Sequence, residues 1–452
     1  MNKEINLGKE PVRKLFWVLA LPAIISQVIN ALYNVVDRMY LGHIPEVGAQ
    51  ALTGVGVCFP IIMILSATAF LFGVGGAPRA SIYMGKKENE KAEQIMGNCF
   101  FSMILVSVVL TILVFVFHEP LLYLFGASEN TIGFAARYIR IYSLGTMAVM
   151  LTLGMNAFIS TQGFSKISML TVVIGAITNI VLDPIFIFGL NMGVQGAALA
   201  TVLSQTLSAA WAIHFLRSER SVLRLRKENF KLEKEVMLPC IALGVAPFIM
   251  QSTESLLVLC FNSSLLRYGG DLAVGAMTIL SSVMQFAMLP IQGMTQGGQP
   301  IISYNYGANQ LDRVKEAFKI QLFSCITYAL LLWIFVMGVP SAFAKIFSSN
   351  VELIELTSWA IRIYLFAVPL MGVQIACQQT FIAFGNSKVS AFLAIFRKLI
   401  VLIPMIFILP MFLQDKVFAV FLAEPISDTI AVLTTVLLFM INFKKILKKE
   451  VR

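Results

Sequence analysis

The strongest limit on how this chain can fold is a series of apolar stretches running from end to end, each about as long as the ~20-residue helix that crosses a ~30 Å hydrocarbon core. Twelve can be marked, near 15–41, 50–76, 95–117, 133–159, 167–189, 194–216, 237–265, 272–299, 320–339, 357–383, 389–411 and 417–442. They lack the alternation over about ten residues that marks barrel strands. Composition agrees. The chain is 58% hydrophobic and 13% charged, whereas soluble domains carry roughly 25% charged residues. The expected fold is an all-α polytopic membrane protein.

The net charge of +10 reads as topology rather than as a nucleic-acid surface. About three quarters of the 34 Lys and Arg fall in the N-terminus, 79–94, Lys166, 217–236, 313–319, Lys388 and the C-terminus, all on one side of the predicted membrane. The alternate loops carry Arg267, Lys345 and Lys416. Both termini and the basic loops are therefore expected in the cytosol, with anionic lipid as a neighbour. The N-terminus MNKEINLGKEPVRK has no cleavage-site pattern and reads as retained. The six cysteines sit in apolar stretches without metal-ligand spacing, as packing residues do.

The chain also repeats itself. GGAPRASIYMG (75–85) aligns with GGQPIISYNYG (297–307), an offset of 222 residues. The same offset lays YIRIY (138–142) over AIRIY (360–364) and GFSK (163–166) over GNSK (385–388). Upstream, LPAIISQ and APFIMQS match at Pro22 and Pro247. The polar segment 217–236 separates the copies, giving an N-terminal six-helix bundle (1–216), a cytosolic linker and a C-terminal six-helix bundle (237–452). Six crossings per copy make the repeat parallel, with a pseudo-two-fold axis along the membrane normal, a transporter plan. Prolines 22, 60, 184, 247, 290, 369 and 404 lie inside spans as points available for bending.

Against this apolar ground, QVINALYNVVDRMYLG (27–42) places Gln27, Asn30, Asn34 and Asp37 on one helical face. Asp183, Glu254, Glu424 and Asp428 are the other acidic residues within spans. Each costs about 2.5–3.5 kcal/mol near a helix centre, so each needs a partner, a proton or a wet cavity. A residue serving the shared scaffold should recur in the second copy. Asp37 maps onto Asn262 and Asp183 onto Met405, so neither carboxylate does.

Twelve spans in two repeats, with NVVDRMYLG (34–42), NIVLDPIFIFG (179–189) and the GNSK-type turns, resemble the multidrug and toxic compound extrusion (MATE) family over nearly the whole chain. The resemblance implies an antiporter of the cell membrane that expels amphipathic, often cationic, compounds in exchange for H⁺ or Na⁺, with antibiotic resistance as an outcome and no cofactor. Asp37, Asn156, Asn179, Asp183 and Thr201 match the family's cation or proton site in the N-terminal half. Asn179 and Asp183 are four apart on one face, and Pro184 leaves the Ile180 carbonyl without its helical donor. Two carboxylates in a low-dielectric pocket readily share one proton, and with amide, hydroxyl and carbonyl oxygens they form a hard-ligand cage for Na⁺. A helix-end Asp37 paired with Arg38 is the plainer reading. Gln27, Asn30, Asn34, Gln251, Glu254 and Gln378 are candidate substrate contacts. Glu254 matches a branch of the family with a second cation site, but Gln374 and Gln378 stand where that branch has an aspartate. It is read as holding a cationic compound, pairing with Arg397, or titrating. Glu424 and Asp428 share a face, with Arg397 and Lys398 as expected partners.

Other features read as structural. GVGGAPRAS (73–81) follows no strand and lacks the GK[ST] of a phosphate loop. The repeated RIY residues, Arg140 and Arg362, read as scaffold, and His43, His118 and His214 are dispersed. Many of the 22 Met and 35 Phe pack the core or face lipid. The expected partners are small organic cations and membrane lipid, not nucleic acid, and the expected state is a monomer. The nearest rival is a flippase for lipid-linked oligosaccharide precursors, which needs a cationic cavity; Arg397 and Lys398 are the deep cations available. A membrane hydrolase would need a nucleophile with its base, or a metal, and a channel would need no coupling.

Overall fold

The computed structural model describes residues 6–448, and every element in it is helical. The extreme termini, 1–5 and 449–452, which carry part of the expected terminal charge, lie outside the described residues. Among the described residues, nine helices are long and apolar enough to cross a membrane, and two bent pairs bring the total to eleven. One of the nine, Lys234–Gly307, has 74 residues, several times the ~20 that a bilayer takes. Its backbone breaks at Gly270, where φ is 66°, a setting that glycine adopts freely. It is thus two spans, and the chain makes twelve.

In chain order the spans are α1 (Val12–Gly42), α2 (Gly48–Gly85), α3 (Asn89–Leu124), α4 (Ile132–Leu144 with Thr146–Thr161), α5 (Ser165–Pro184), α6 (Val194–Arg217), α7 and α8 (the two parts of Lys234–Gly307), α9 (Leu311–Gly338), α10 (Val351–Tyr364 with Val368–Ala383), α11 (Ser387–Phe412) and α12 (Lys416–Lys448). The repeat is visible in the shape. α4 bends by 56° at Gly145 and α10 by 50° just before Val368, equivalent places in the two copies. The α10 bend falls at the span proline Pro369, in the first turn after the break. The α4 bend falls at Gly145 with no proline, and most other span prolines sit inside continuous helix. Two prolines mark wider turns instead. Pro184 leads into a π turn, Ile185–Gly189, and Pro404 follows a longer one, Phe396–Leu402.

Two six-helix bundles meet along α1 and α2 on one side and α7 and α8 on the other. The seam is tightest at the basic end, the end carrying the foot of α1 and the 217–236 segment. There backbone touches backbone. A Cβ on Gly244 of α7 would run into the Leu71 carbonyl of α2, and one on Gly75 into the Cys240 carbonyl. Gly85 and Gly307 meet Tyr304 and Ile82 in the same way one layer further out. Arg313 clamps this end by donating to the carbonyls of Leu7 (3.0 Å) and Glu10 (2.7 Å), while Asn305 also donates to Leu7 (3.0 Å). The 217–236 segment lies on the first bundle. Gln162 accepts from the Leu223 amide at 2.8 Å, and Glu93 pairs with Arg226 at 2.9 Å.

Toward the opposite end the bundles part. Asn30 and Asn34 of α1 and Thr278 and Gln285 of α8 are exposed at mid-span. Polar side chains there cannot face hydrocarbon without a large cost, so they border a wet cavity. The molecule is closed at its basic end and open at the other.

The glycine seam yields a test. Gly244→Leu should prise α2 from α7 and unlock the basic end. In a variant keeping Cys240 as its single cysteine, maleimide labelling of this buried thiol should rise from near zero to rapid. Unchanged protection would mean that the seam does not depend on the missing side chain.

Candidate functional site

α1 brings its polar face to the first bundle at its open-end half. There the carboxyl of Asp37 meets that of Asp183 on α5 within hydrogen-bonding range. Asp183 and Asn179 are both fully buried. Four residues apart on one helix face, they interact directly, the Asn179 amide donating to Asp183 Oδ1 at 3.3 Å. The same amide donates to Thr201 Oγ1 of α6 at 3.4 Å. The Thr201 hydroxyl is spent on the Ala197 carbonyl at 3.0 Å. What remains is acceptor oxygen. Asp37 Oδ1, Asp183 Oδ2 and Asn179 Oδ1 are all buried without a hydrogen-bond partner. Pro184, next to the acid, also has no N–H for the Ile180 carbonyl. Buried acceptors left without donors are rare and ask for a proton or a cation. Arg38 acts on Asp37 through its charge but forms no ion pair with it; its guanidinium stacks over Phe59, 5.3 Å from the ring centre.

Four of the five expected site residues thus come together. Asn156 is not joined to them. Its amide donates to the Ser168 carbonyl at 3.3 Å, about three helical turns before Asn179 along α5. Its Oδ1 is buried and unpartnered there.

Three other residues enter the site instead. The Tyr33 hydroxyl is within hydrogen-bonding reach of Gln205 and in the field of both aspartates. Tyr138 is within reach of Thr201 and in the field of Asp37. The sequence held signals for all three. Tyr33 lies four residues before Asp37, and Gln205 four after Thr201, each on the face of its site residue. Tyr138 opens the YIRIY motif and is the one residue of it that changes in the second copy, to Ala360. Reading the motif whole as scaffold hid that difference. Arg140 does behave as scaffold, bonding His118 at 2.8 Å.

Most of the candidate substrate contacts lie where the bundles face each other; Gln378 does not, being buried inside the second bundle. Gln27 donates to Gln296 of α8 at 3.3 Å, and Asn34 to the Asn30 carbonyl at 2.6 Å. Gln251 reaches across to the Met63 sulfur of α2 at 3.0 Å. Gln378 accepts from Gln374 at 2.9 Å and points its own amide at the Met250 sulfur, 3.4 Å away.

The charges of the second bundle sort differently from expectation. Arg397 takes both α12 acids, Asp428 at 2.8 Å and Glu424 at 3.3 Å. Glu254 pairs with Lys398, not with Arg397, and Lys398 is not shared with the α12 acids. Adjacent residues on a helix point to different sides, so Arg397 faces α12 while Lys398 faces α7. With both deep cations held by carboxylates, the cationic cavity of a flippase is missing. Among the described residues no group of three His, Cys, Asp or Glu is placed to hold a metal.

Comparison with known proteins identifies the family and the fold. The MatE family profile matches twice, over 22–185 and 247–408, once per bundle. The chain is 24% identical over 432 residues to the multidrug export protein MepA of Staphylococcus aureus (strain MSSA476), covering 95% of each chain. It is 25% identical over 390 residues to MepA of Staphylococcus haemolyticus, covering 86% of this chain and 85% of the relative. The MATE multidrug transporter DinF-BH, solved as a complex with a small ligand, is 33% identical, with 97% of this chain and 98% of that one covered, and superposes with a TM-score of 0.90. An outward-facing conformation of a multidrug resistance MATE family transporter superposes at 0.91 with 23% identity, with 99% of this chain and 100% of that one covered.

The Asn179 amide is the donor that two buried oxygens depend on. Asn179→Leu should destabilise the purified protein by on the order of 1–3 kcal/mol, the cost of a buried acceptor losing its donor. Asn34→Leu, at an exposed position, should leave the thermal midpoint nearly unmoved. Equal losses in the two variants would show that the buried amide has no special place.

Proposed function

The chain belongs to the MatE family, and from that premise we propose that it is a multidrug antiporter, exporting amphipathic organic cations in exchange for H⁺ or Na⁺. The observation that carries the reading is the meeting of Asp37 and Asp183 with buried oxygens that no donor satisfies. The arrangement suits either ion. A proton between the carboxyls relieves their repulsion. Na⁺ would take its ligands from Asp37, Asp183, the Asn179 carbonyl and the freed backbone oxygen.

In this cycle the basic end faces the cytosol, as the positive-inside rule places it, and the protein sits in the cell membrane with both termini inside. Segments 1–216 and 237–452 move as two lobes joined by 217–236. Neutralising Asp37 and Asp183 from the outside changes how α1 rests on α5 and α6, reshapes the open cavity and releases cargo outward. Loss of the ion to the cytosol restores the carboxylate pair. The membrane potential contributes about 2.3 kcal/mol per charge per 100 mV. The polar wall of Gln27, Asn30, Asn34, Gln251 and Glu254 receives the cargo, with Gln378 buried behind it. The multidrug transporter DinF-BH and the multidrug export proteins named MepA support a range of drug-like substrates.

The test is efflux of a fluorescent cationic dye from vesicles, with a pH gradient and a sodium gradient imposed separately. Wild-type protein should respond to at least one gradient. Asp37→Asn and Asp183→Asn should each fall to the background of empty vesicles while being produced at normal levels. Normal efflux in both variants removes the pair from the mechanism.

A further inference from the structure

Five charges within the spans of the second bundle break the internal repeat. Arg397 and Lys398 stand where the first copy has Gly175 and Ala176, and the acids Glu424 and Asp428 correspond to Val202 and Thr206. Glu254, by the upstream match at the prolines, falls on Ile29. In the first copy the stretch around Gly175 packs tightly, since a Cβ there would press on the Ser208 hydroxyl. In the second, two long cations fit because α11 widens into the π turn Phe396–Leu402, a distortion common where side chains must be re-aimed at functional sites.

The five charges form two groups of unlike accessibility. Arg397, Glu424 and Asp428 are a buried triad, with side chains 12%, 8% and 2% exposed. The other group is lopsided. Lys398 is 6% exposed but Glu254 is 56% exposed. The neighbours of Glu254 show where it is exposed to. Its partner is on α11, the Tyr364 hydroxyl of α10 feels its charge, and Gln251 on the same helix crosses to α2. This carboxylate looks into the cavity, not toward lipid. The Lys398 ammonium approaches it from behind and is completed by the Met250 carbonyl at 2.6 Å. A carboxylate and a backbone carbonyl around one ammonium are the contacts that an external cation would seek.

We propose that Lys398 is a tethered counter-cation, occupying Glu254 when the cavity holds no cargo, and that an organic cation binds by taking its place on that carboxylate. The inference rests on the reading of the protein as a cation exporter. It assigns the charge-recognition point of the cavity to α7 and makes Lys398 a specificity residue. Monocations compete with the lysine for one carboxylate, so each bound cargo must free the ammonium, which keeps its Met250 contact and turns toward Gln378 or the Arg397 triad. Neutral amphiphiles have no such competition and gain nothing from Glu254.

The experiment is equilibrium binding of the lipophilic monocation tetraphenylphosphonium to the purified full chain in detergent. Lys398→Gln should tighten binding by about tenfold, the scale of one lost competing contact. Glu254→Gln should weaken it by a similar factor, and Lys398→Arg should stay near wild type. A second readout needs no variant: saturating the wild-type protein with the cation should speed reductive methylation of Lys398, followed by mass spectrometry. Unaltered or weaker binding by a folded Lys398→Gln protein, or labelling of Lys398 that cation binding leaves unchanged or slows, overturns the proposal. Should wild-type protein bind no monocation at all, the exporter reading fails with it; if it binds while Lys398 proves irrelevant, this inference alone falls.

Discussion

A carboxylate removed from both water and lipid must be matched, and the two halves of this protein match theirs in opposite ways. In the first bundle Asp37 and Asp183 have each other, neutral groups and the charge of Arg38 acting on Asp37 without an ion pair. In the second bundle every acid at depth has a basic partner from α11. The match in the second bundle is incomplete, since Arg397 and Lys398 face three acids and Glu424 Oε2 is buried without a hydrogen-bond partner. The two copies of the repeat thus differ in kind: the first sets acid against acid, the second sets acid against base with one negative charge left over.

Departure from the repeat is where the residues of the proposed function collect. Shared features build the frame: the bends of α4 and α10, the glycine contacts of α2 and α8, and the Arg140 and Arg362 positions. Unshared ones include the buried charges and their neighbours, among them Asp37, Asp183, Tyr138, Arg397 and Lys398. A duplicated chain thus carries an internal control for reading its own residues, because each copy shows what the frame needs without the site.

Much of this was legible in the chain beforehand. Apolar length gave the spans, and offset motifs gave the halves. Helical spacing put Asn179 beside Asp183, and charge asymmetry picked out the end where the seam closes. What resisted reading was relative rotation and depth between helices. Asn156 carries the right chemistry, but its depth on α4 sets it beside Ser168. Choosing between Arg397 and Lys398 as partner for Glu254 turned on a rotation of one residue within a π turn, and no period in the sequence announces such a turn. Tyr33 and Gln205 were within reach of the same four-residue spacing that found Asn179. They were passed over because a tyrosine or glutamine in an apolar helix seldom stands out from packing.

The path of α1 has a mechanical consequence. Its foot, through Val12, Leu15, Phe16, Leu19 and Ala20, is packed into the core of the second bundle, and Arg313 grips the segment just before it. Its tip, through Leu41 and Asp37, belongs to the first. A single rod is therefore bolted at its two ends to different bodies. In the proposed cycle a shift of load at the tip becomes torque on the foot, so charge taken up at one end is felt as leverage at the other without a relay of side chains between them.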